Sequence, residues 1–402
     1  MRGLFEKLTL FFILFPYIKI GIDFGTDVQP LYLMSAFILL LLTALEKRMI
    51  KIYNMFLFIL LVVMIINTFF LFMFSDTSEK NVFGYFRALY KYLAFLVIFL
   101  IYEIIDRNLK PSILFFATTI YFIVSNLQMI FKKPLIGFLL SRVSYYPNRN
   151  LAIGITPEAS FLAKLSLSII LLADYLVAKG IMKKKNYVAI FLMNVEMILI
   201  SLSLSGIFLL IAYISIRLLL YIVINVRLID FLRLCLVFLF SAIVLFFIQP
   251  YIQRFFSMGR MGMFYNYFAS GDVLLFFRKD ASFQARVNVI NTTFSSLMNH
   301  PFGNIAPYPI GGFMGFIYEN GFYGVLFVIY YLFSFLSTLP YLRYEKKQVT
   351  CSFLTIYLIV PLLIFVDTLS VSYFIVLLNV LFYNSSKMVK NHESRSLTVT
   401  SF

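Results

Sequence analysis

Charge is scarce in this chain: 13% of its 402 residues are Asp, Glu, Lys or Arg, about half the share expected of a soluble domain. With 62% hydrophobic residues and a mean hydropathy of +0.93, the lipid bilayer is the expected solvent. Only two cysteines occur, Cys235 and Cys351, both in apolar runs, which excludes a disulfide framework and offers no metal-ligand spacing. Two histidines argue against a His-based metal centre, so no metal and no cofactor is expected. Tryptophan is absent, leaving 49 Phe and 27 Tyr as the aromatic complement. No Gly/Ser-rich or Pro-rich linker and no internal repeat of ~20–50 residues divides the chain. No cleavable signal peptide is evident, because the first apolar stretch runs on into further apolar segments and reads as a retained span.

What is present is a series of apolar runs. A helix needs about 20 residues to cross the hydrocarbon core, and that rule predicts spans near 8–22, 30–45, 52–74, 86–105, 112–131, 159–178, 187–204, 206–224, 233–250, 311–338, 348–366 and 369–386. The expected fold class is therefore all-α, a polytopic integral-membrane bundle of about 12 spans. Residues 1–390 form one membrane domain and 391–402 a polar cytoplasmic tail. The connections alternate in charge. Lys47/Arg48/Lys51, Arg107/Lys110, Lys179/Lys183/Lys184/Lys185, Arg227/Arg233 and Arg343/Lys346/Lys347 lie on one side, while Asp23/Asp27 and Asp76/Glu79/Lys80 lie on the other. Because Lys and Arg resist translocation, the basic side is cytoplasmic and so are both termini. The same rule accounts for the net charge of +16, which in a soluble protein would suggest nucleic acid; no nucleic-acid partner is expected.

Two polar, basic islands break the pattern, an outer loop over 132–158 and a larger one over 251–310. Long loops translocate whatever their charge, so the second is exempt from the rule and only the first is anomalous. Island one carries Lys132, Lys133, Arg142 and Arg149 against Glu158 alone, and island two carries Arg254, Arg260, Arg278, Lys279 and Arg286 against Asp272 and Asp280. Arg278, Ser282 and Arg286 recur every four residues and would share one stripe of a surface-lying helix, with the guanidiniums about 12 Å apart. Planar, permanently charged guanidiniums suit phosphate; contact with lipid headgroups is the plainer alternative.

Glu158, at the start of a span, either caps that helix or takes a proton from a hydroxyl at the mouth of a cavity. Ionisable residues inside spans are costly and point to function or pairing. Lys19, Arg87, Lys91, Lys164, Asp174, Glu196 and Asp367 qualify. Arg87 and Lys91, four apart, either reach into an outer cavity or snorkel to the interface, and Asp174 reads as an interface residue. Tyr145, Tyr146, Tyr265, Tyr267 and Tyr308 in the islands could stack on sugars, although an interfacial aromatic belt is the commoner explanation.

Four motifs resemble the O-antigen and capsular polysaccharide polymerases of bacterial surfaces, relatives of the O-antigen ligases. Asn148-Arg149 followed by Gly154 and PEASFLA is similar to that family's arginine, glycine and acidic start of a span. SLSLSG (Ser201 to Gly206) resembles its Ser-rich turn, without the arginine that commonly follows. DASFQAR, then HPFGN after a helical interval, resembles its arginine-bearing outer loop, and Glu319-Asn320-Gly321-Phe322-Tyr323-Gly324 resembles the start of its next span. The resemblance covers about 148–338. It implies a metal-independent membrane glycosyltransferase with a GT-C-like bundle in the bacterial cytoplasmic membrane, joining undecaprenyl-diphosphate-linked oligosaccharide repeat units at the outer face. Arg149, Arg278, Arg286 and Arg142 would bind the diphosphate, with Arg149 and Arg286 catalytic. Glu158 would be the base, with His300 and Glu319 behind it, and Arg87, Lys91 and Ser282 further candidates. Membrane lipid, a chain-length regulator and a flippase are the partners implied. A ligase, or a flippase or other transporter of lipid-linked oligosaccharide, is the alternative. The stretch Pro309-Ile310-Gly311-Gly312-Phe313 lacks the histidine that ligases carry there, which favours the polymerase. Arg149→Ala and Arg286→Ala are each expected to abolish polymer ladders with membrane insertion intact, checked by gels of surface polysaccharide; ladders of normal length in both would remove the arginine clamp.

Overall fold

A computed structural model describes residues 2–19, 29, 31–46, 55–74, 82–141, 143, 151–225, 262, 266–267, 270–305, 312–334 and 347–366. Among them every regular element is helical: α1 (Arg2–Leu14), α2 (Leu31–Leu45), α3 (Met55–Phe74), α4 (Val82–Asn108), α5 (Pro111–Phe131), α6 (Ala159–Ala178), α7 (Lys184–Ile200), α8 (Leu204–Asn225), α9 (Val273–Lys279), α10 (Ala281–Asn299), α11 (Gly312–Asn320), α12 (Phe322–Ser334) and α13 (Lys347–Val366), with a 3-10 turn at Gly137–Leu139. Five stretches are long and apolar enough to cross a membrane: Met55–Phe74, Val82–Ile101, Pro111–Phe131, Ala159–Ala178 and Leu204–Ile222. The expected spans 233–250 and 369–386, the 391–402 tail and the side chains of Cys235 and Asp367 lie outside the described residues.

The centre of the bundle is α6. Every residue from Phe161 to Leu176 is buried, and the helix packs against α5, α7, α8 and α13. A helix apolar on all sides must be surrounded on all sides, and ASFLAKLSLSIILLADYLVA has no wide polar face. Its small residues set the spacing. Gly206 of α8 faces Ala163 of α6 so closely that a Cβ at 206 would overlap the Ala163 Cβ. The SLSLSG segment makes the tight reversal expected between α7 and α8, with Leu202 in the left-handed region (φ 48°) and Ser203 Oγ accepting from Gly206 N at 3.3 Å.

A second group, α1 to α4, is tied together at its basic end. Arg2 donates to Glu6 at 2.9 Å and to Glu46 at the end of α2 at 2.6 Å. Asn108, closing α4, donates to Glu6 at 3.3 Å. The start of α1 and the ends of α2 and α4 therefore share one end of the bundle, as the charge alternation requires. From α4, Asp106 reaches α6, where Tyr175 OH donates to it at 2.6 Å and Lys179 Nζ at 2.7 Å.

Two expected spans differ in the structure. The first helix ends at Leu14 rather than near 22, because Pro16 has no N–H to continue the ladder and disfavours helix at the residue before it. Lys19 consequently lies beyond the helix, with its backbone N–H on Leu139 O at 2.8 Å. The expected span 311–338 is interrupted at Gly321 (φ 52°). The chain turns so sharply there that Phe316 stacks on Phe327 with ring centroids 4.7 Å apart, two residues that a continuous helix would hold ~16 Å apart.

Placing a methyl at the α6–α8 contact is expected to destabilise the bundle by about 1–3 kcal/mol, the usual cost of overpacking. Gly206→Ala should lower the melting temperature in detergent, followed by a thiol-reactive dye that reports exposure of buried Cys351. Gly3→Ala, where nothing lies within 4 Å of the added Cβ, should not. Equal melting of both variants would refute the contact.

Candidate functional site

Two of the segments singled out in the sequence interlock at the end of the bundle away from Arg2. After α10, the chain runs His300-Pro301-Phe302-Gly303-Asn304, and this turn clasps the corner between α11 and α12. Asn304 N donates to Tyr318 O and Phe322 N to Pro301 O, both at 2.8 Å. The clasp requires glycine twice. Gly303 has φ 103° and Gly321 φ 52°, and a Cβ at either would overlap the other segment's backbone, at the Glu319 or the Pro301 carbonyl. Asn67 of α3 closes the third side, donating to Phe302 O at 2.8 Å and to Asn320 Oδ1 at 3.3 Å.

The clasp sets Glu319 inside the bundle, 4% exposed. Its Oε2 lies 2.5 Å from Lys91 Nζ and accepts from Tyr92 OH at 2.6 Å. Lys91, itself 8% exposed, rests over the Tyr92 and Phe316 rings at 4.9 and 5.0 Å. By helical rise, Lys91 sits ~13 Å in from the start of α4. Arg87, one turn nearer that end and half-buried, lies within electrostatic reach of Glu319. Of the residues singled out in the sequence, Arg87, Lys91 and Glu319 are thus brought together. The pairing recasts Glu319: a carboxylate oxygen held by an ammonium and a phenol positions neighbours better than it abstracts protons. Asn320, next along the chain, is fully buried, its amide beside the Tyr92 hydroxyl.

Glu158 occupies a separate position at the start of α6. It has the extended backbone of an N-cap residue, yet its side chain makes no capping bond. It accepts instead from Ser160 Oγ at 2.5 Å and stays partly exposed. Capping is therefore not what occupies this carboxylate. The approach to Glu158 is held by Gln128 of α5, whose Oε1 accepts from Ile153 N at 2.9 Å and Gly154 N at 2.8 Å.

The arginine stripe is corrected by the structure. Arg278 lies in the last turn of α9 and Arg286 on α10, two helices rather than one. Asp280 separates them by capping α10, accepting from Phe283 N at 2.7 Å. An Asx side chain that satisfies the first free N–H groups starts a new helix in preference to continuing the old one. Arg278 is exposed and Arg286 partly buried, and α10 packs against α11 through Val289, which meets Tyr318 beside Glu319. Ser282 lies in the first turn of α10. His300 is exposed beyond the end of α10, its backbone N–H on Ser296 O at 2.7 Å. Arg142 and Arg149, with Arg254, Arg260, Tyr145, Tyr146, Tyr265 and Tyr308, lie outside the described residues.

Sequence reasoning missed a buried network nearer the basic end. Asp174, fully buried rather than interfacial, pairs with Arg217 of α8 and accepts from Tyr213 OH at 2.6 Å, while Tyr187 OH lies 3.0 Å from Tyr213 OH. Arg217 within ISIRLLL is itself an ionisable residue in an apolar run and carried the signal. Asn67, Tyr92 and Gln128 carried none, being ordinary in composition.

No group of three or more His, Cys, Asp or Glu suited to a metal ion occurs among the described residues. The fold defines an all-α protein with several helices fit to cross a membrane. No protein-family model and no curated protein matches the chain.

Removing one partner of a buried ion pair leaves an uncompensated charge and costs about 3–5 kcal/mol. Lys91→Met is therefore expected to lower the melting temperature strongly, and Lys91→Met with Glu319→Gln to recover much of the loss. Additive losses in that double-mutant cycle would mean that the two residues do not interact.

Proposed function

We propose that the protein is a polysaccharide polymerase of the bacterial cytoplasmic membrane, a GT-C-like bundle of about 12 spans with both termini cytoplasmic. It joins undecaprenyl-diphosphate-linked oligosaccharide repeat units at the outer face. One observation carries the reading: HPFGN and ENGFYG, quoted separately for their resemblance to polymerases, clasp each other, with Phe322 N donating to Pro301 O and Asn304 N to the carbonyl of Tyr318 just before the second motif. They do so where Lys91, Arg87 and Glu319 gather.

In the reaction, a hydroxyl oxygen of the acceptor sugar attacks the anomeric carbon of the donor. The bond from that carbon to the diphosphate oxygen breaks, and the polyprenyl diphosphate departs with the electron pair. A diphosphate leaving group needs charge stabilisation more than protonation. Arg286 and Arg278, with Arg149 and Arg142 from the first outer loop, supply it through charge-assisted hydrogen bonds. Glu158 receives the hydroxyl proton: it is partly exposed and caps no backbone N–H of its helix, accepting instead from the Ser160 hydroxyl. Glu319 serves as the anchor that fixes Lys91 and the clasp.

The deciding experiment is reconstitution of the purified protein with a lipid-linked repeat unit and a gel of the products. A ladder and stoichiometric release of polyprenyl diphosphate are expected. Glu158→Gln should slow the reaction by about 10²–10⁴-fold, the range of general-base catalysis. Absence of any lengthened product with the unaltered protein would overturn the function, and full activity of Glu158→Gln would overturn the base.

A further inference from the structure

The basic end of the bundle holds a cavity of about 940 Å³, lined in part by Arg107, Lys110, Ser112, Phe115, Lys179 and Asn186. Its charge is unbalanced. Asp106, an acidic group in the lining, is already taken, accepting from Lys179 through both oxygens at 2.7 Å and from Tyr175 at 2.6 Å. The side chains of Arg107 and Lys110 are exposed and make no hydrogen bond or ion pair among the described residues. Cations that only set orientation could stand anywhere in a short loop; these two stand on the rim of a formed cavity.

Two further features select the ligand. The helix α5 begins at Pro111 with Lys110 before it and no side-chain cap, so the first residues of a 21-residue helix, at its positive end, line the same space, an arrangement that favours anions. Beside this polar floor stand apolar side chains open to the surroundings, Phe115 at 42% and Ile181 at 48% exposed. A free inorganic anion has no use for them. An amphiphile has: its chains lie along Phe115 and Ile181 while its charged group meets Arg107 and Lys110. Basic cavities between membrane helices on the cytoplasmic side suit anionic lipid headgroups.

We infer that this cavity binds the phosphate headgroup of an anionic membrane phospholipid, at the opposite end of the bundle from the clasp around Glu319. The lipid closes the seam between α4, α5, α6 and α7, whose ends line the cavity. This inference is independent of the reaction proposed above.

The test is a thermal-shift titration of the full-length protein in neutral detergent. Phosphatidylglycerol is expected to raise the melting temperature and phosphatidylcholine to leave it unchanged. Arg107→Ala with Lys110→Ala should weaken the apparent lipid affinity at least about tenfold, at ~1 kcal/mol per cation. Arg107→Lys with Lys110→Arg should restore it, while Lys184→Gln with Lys185→Gln, exposed on the same end but outside the cavity, should leave it intact. An equal response to phosphatidylcholine, or an undiminished response in the alanine variant, would overturn the site. Equal loss in the Lys184/Lys185 variant would reduce it to surface charge. Millimolar inorganic phosphate reproducing the whole shift would overturn the lipid assignment in favour of a soluble phosphate ligand.

Discussion

Glu319 can be buried inside the bundle only because Lys91 and Tyr92 meet it there, and much of the surrounding architecture follows from that meeting. An isolated charge in an apolar interior is prohibitively costly, and a pair survives only with good geometry and further hydrogen bonds. The geometry is supplied from three directions. From α4, two consecutive residues present an ammonium and a phenol. The Gly321 corner turns the carboxylate inward, and the HPFGN clasp with Asn67 holds that corner in place. Irregular backbone at membrane depth survives only where it is covered by protein, and the clasp covers it with hydrogen bonds.

The same logic repeats at the other buried carboxyl groups. Asp106 is matched by Lys179 and Tyr175, and Asp174 by Arg217 and Tyr213. Each carboxylate has one cation and at least one phenol, drawn from a different helix. Tyrosine is suited to this role because its ring packs as an apolar body while its hydroxyl satisfies the acid. These contacts bind α4, α6, α8 and α11 into one unit with directional bonds. Such bonds count where lipid tails are as apolar as the helices and the hydrophobic effect does not drive helices together. Around this frame α6 acts as an apolar axle, closely approached at Ala163 by Gly206.

Function, on the reading advanced above, sits at one end of this frame. Glu158 and the clasp lie at the end away from Arg2, whereas the Asp106 and Asp174 ion pairs and the basic cavity lie toward the other. The two candidate carboxylates have diverged in role through their surroundings alone. Glu319 is buried and doubly engaged, and Glu158 is partly open with a lone serine hydroxyl for company. Environment, rather than residue type, separates an anchor from a base.

The sequence by itself determined the helical class, most helix positions and the alternation of charge, because apolar length and Lys/Arg placement act locally. It also marked Arg87, Lys91, Glu158 and Glu319, since ionisable groups among apolar neighbours stand out by composition. Only the tertiary structure decided partnership. Lys91 and Glu319 are 228 residues apart, and nothing local pairs them. Spacing suggested one stripe for Arg278 and Arg286, but Asp280 offered the backbone a better hydrogen bond and started a new helix. Hydropathy suggested one span over 311–338, but the left-handed backbone at Gly321 turned it back. Asp174, legible as a charge near a helix end, became a core residue once Arg217 reached it from α8. Local patterns specify which segments become helices; which polar groups may then be buried depends on what the other helices bring to meet them.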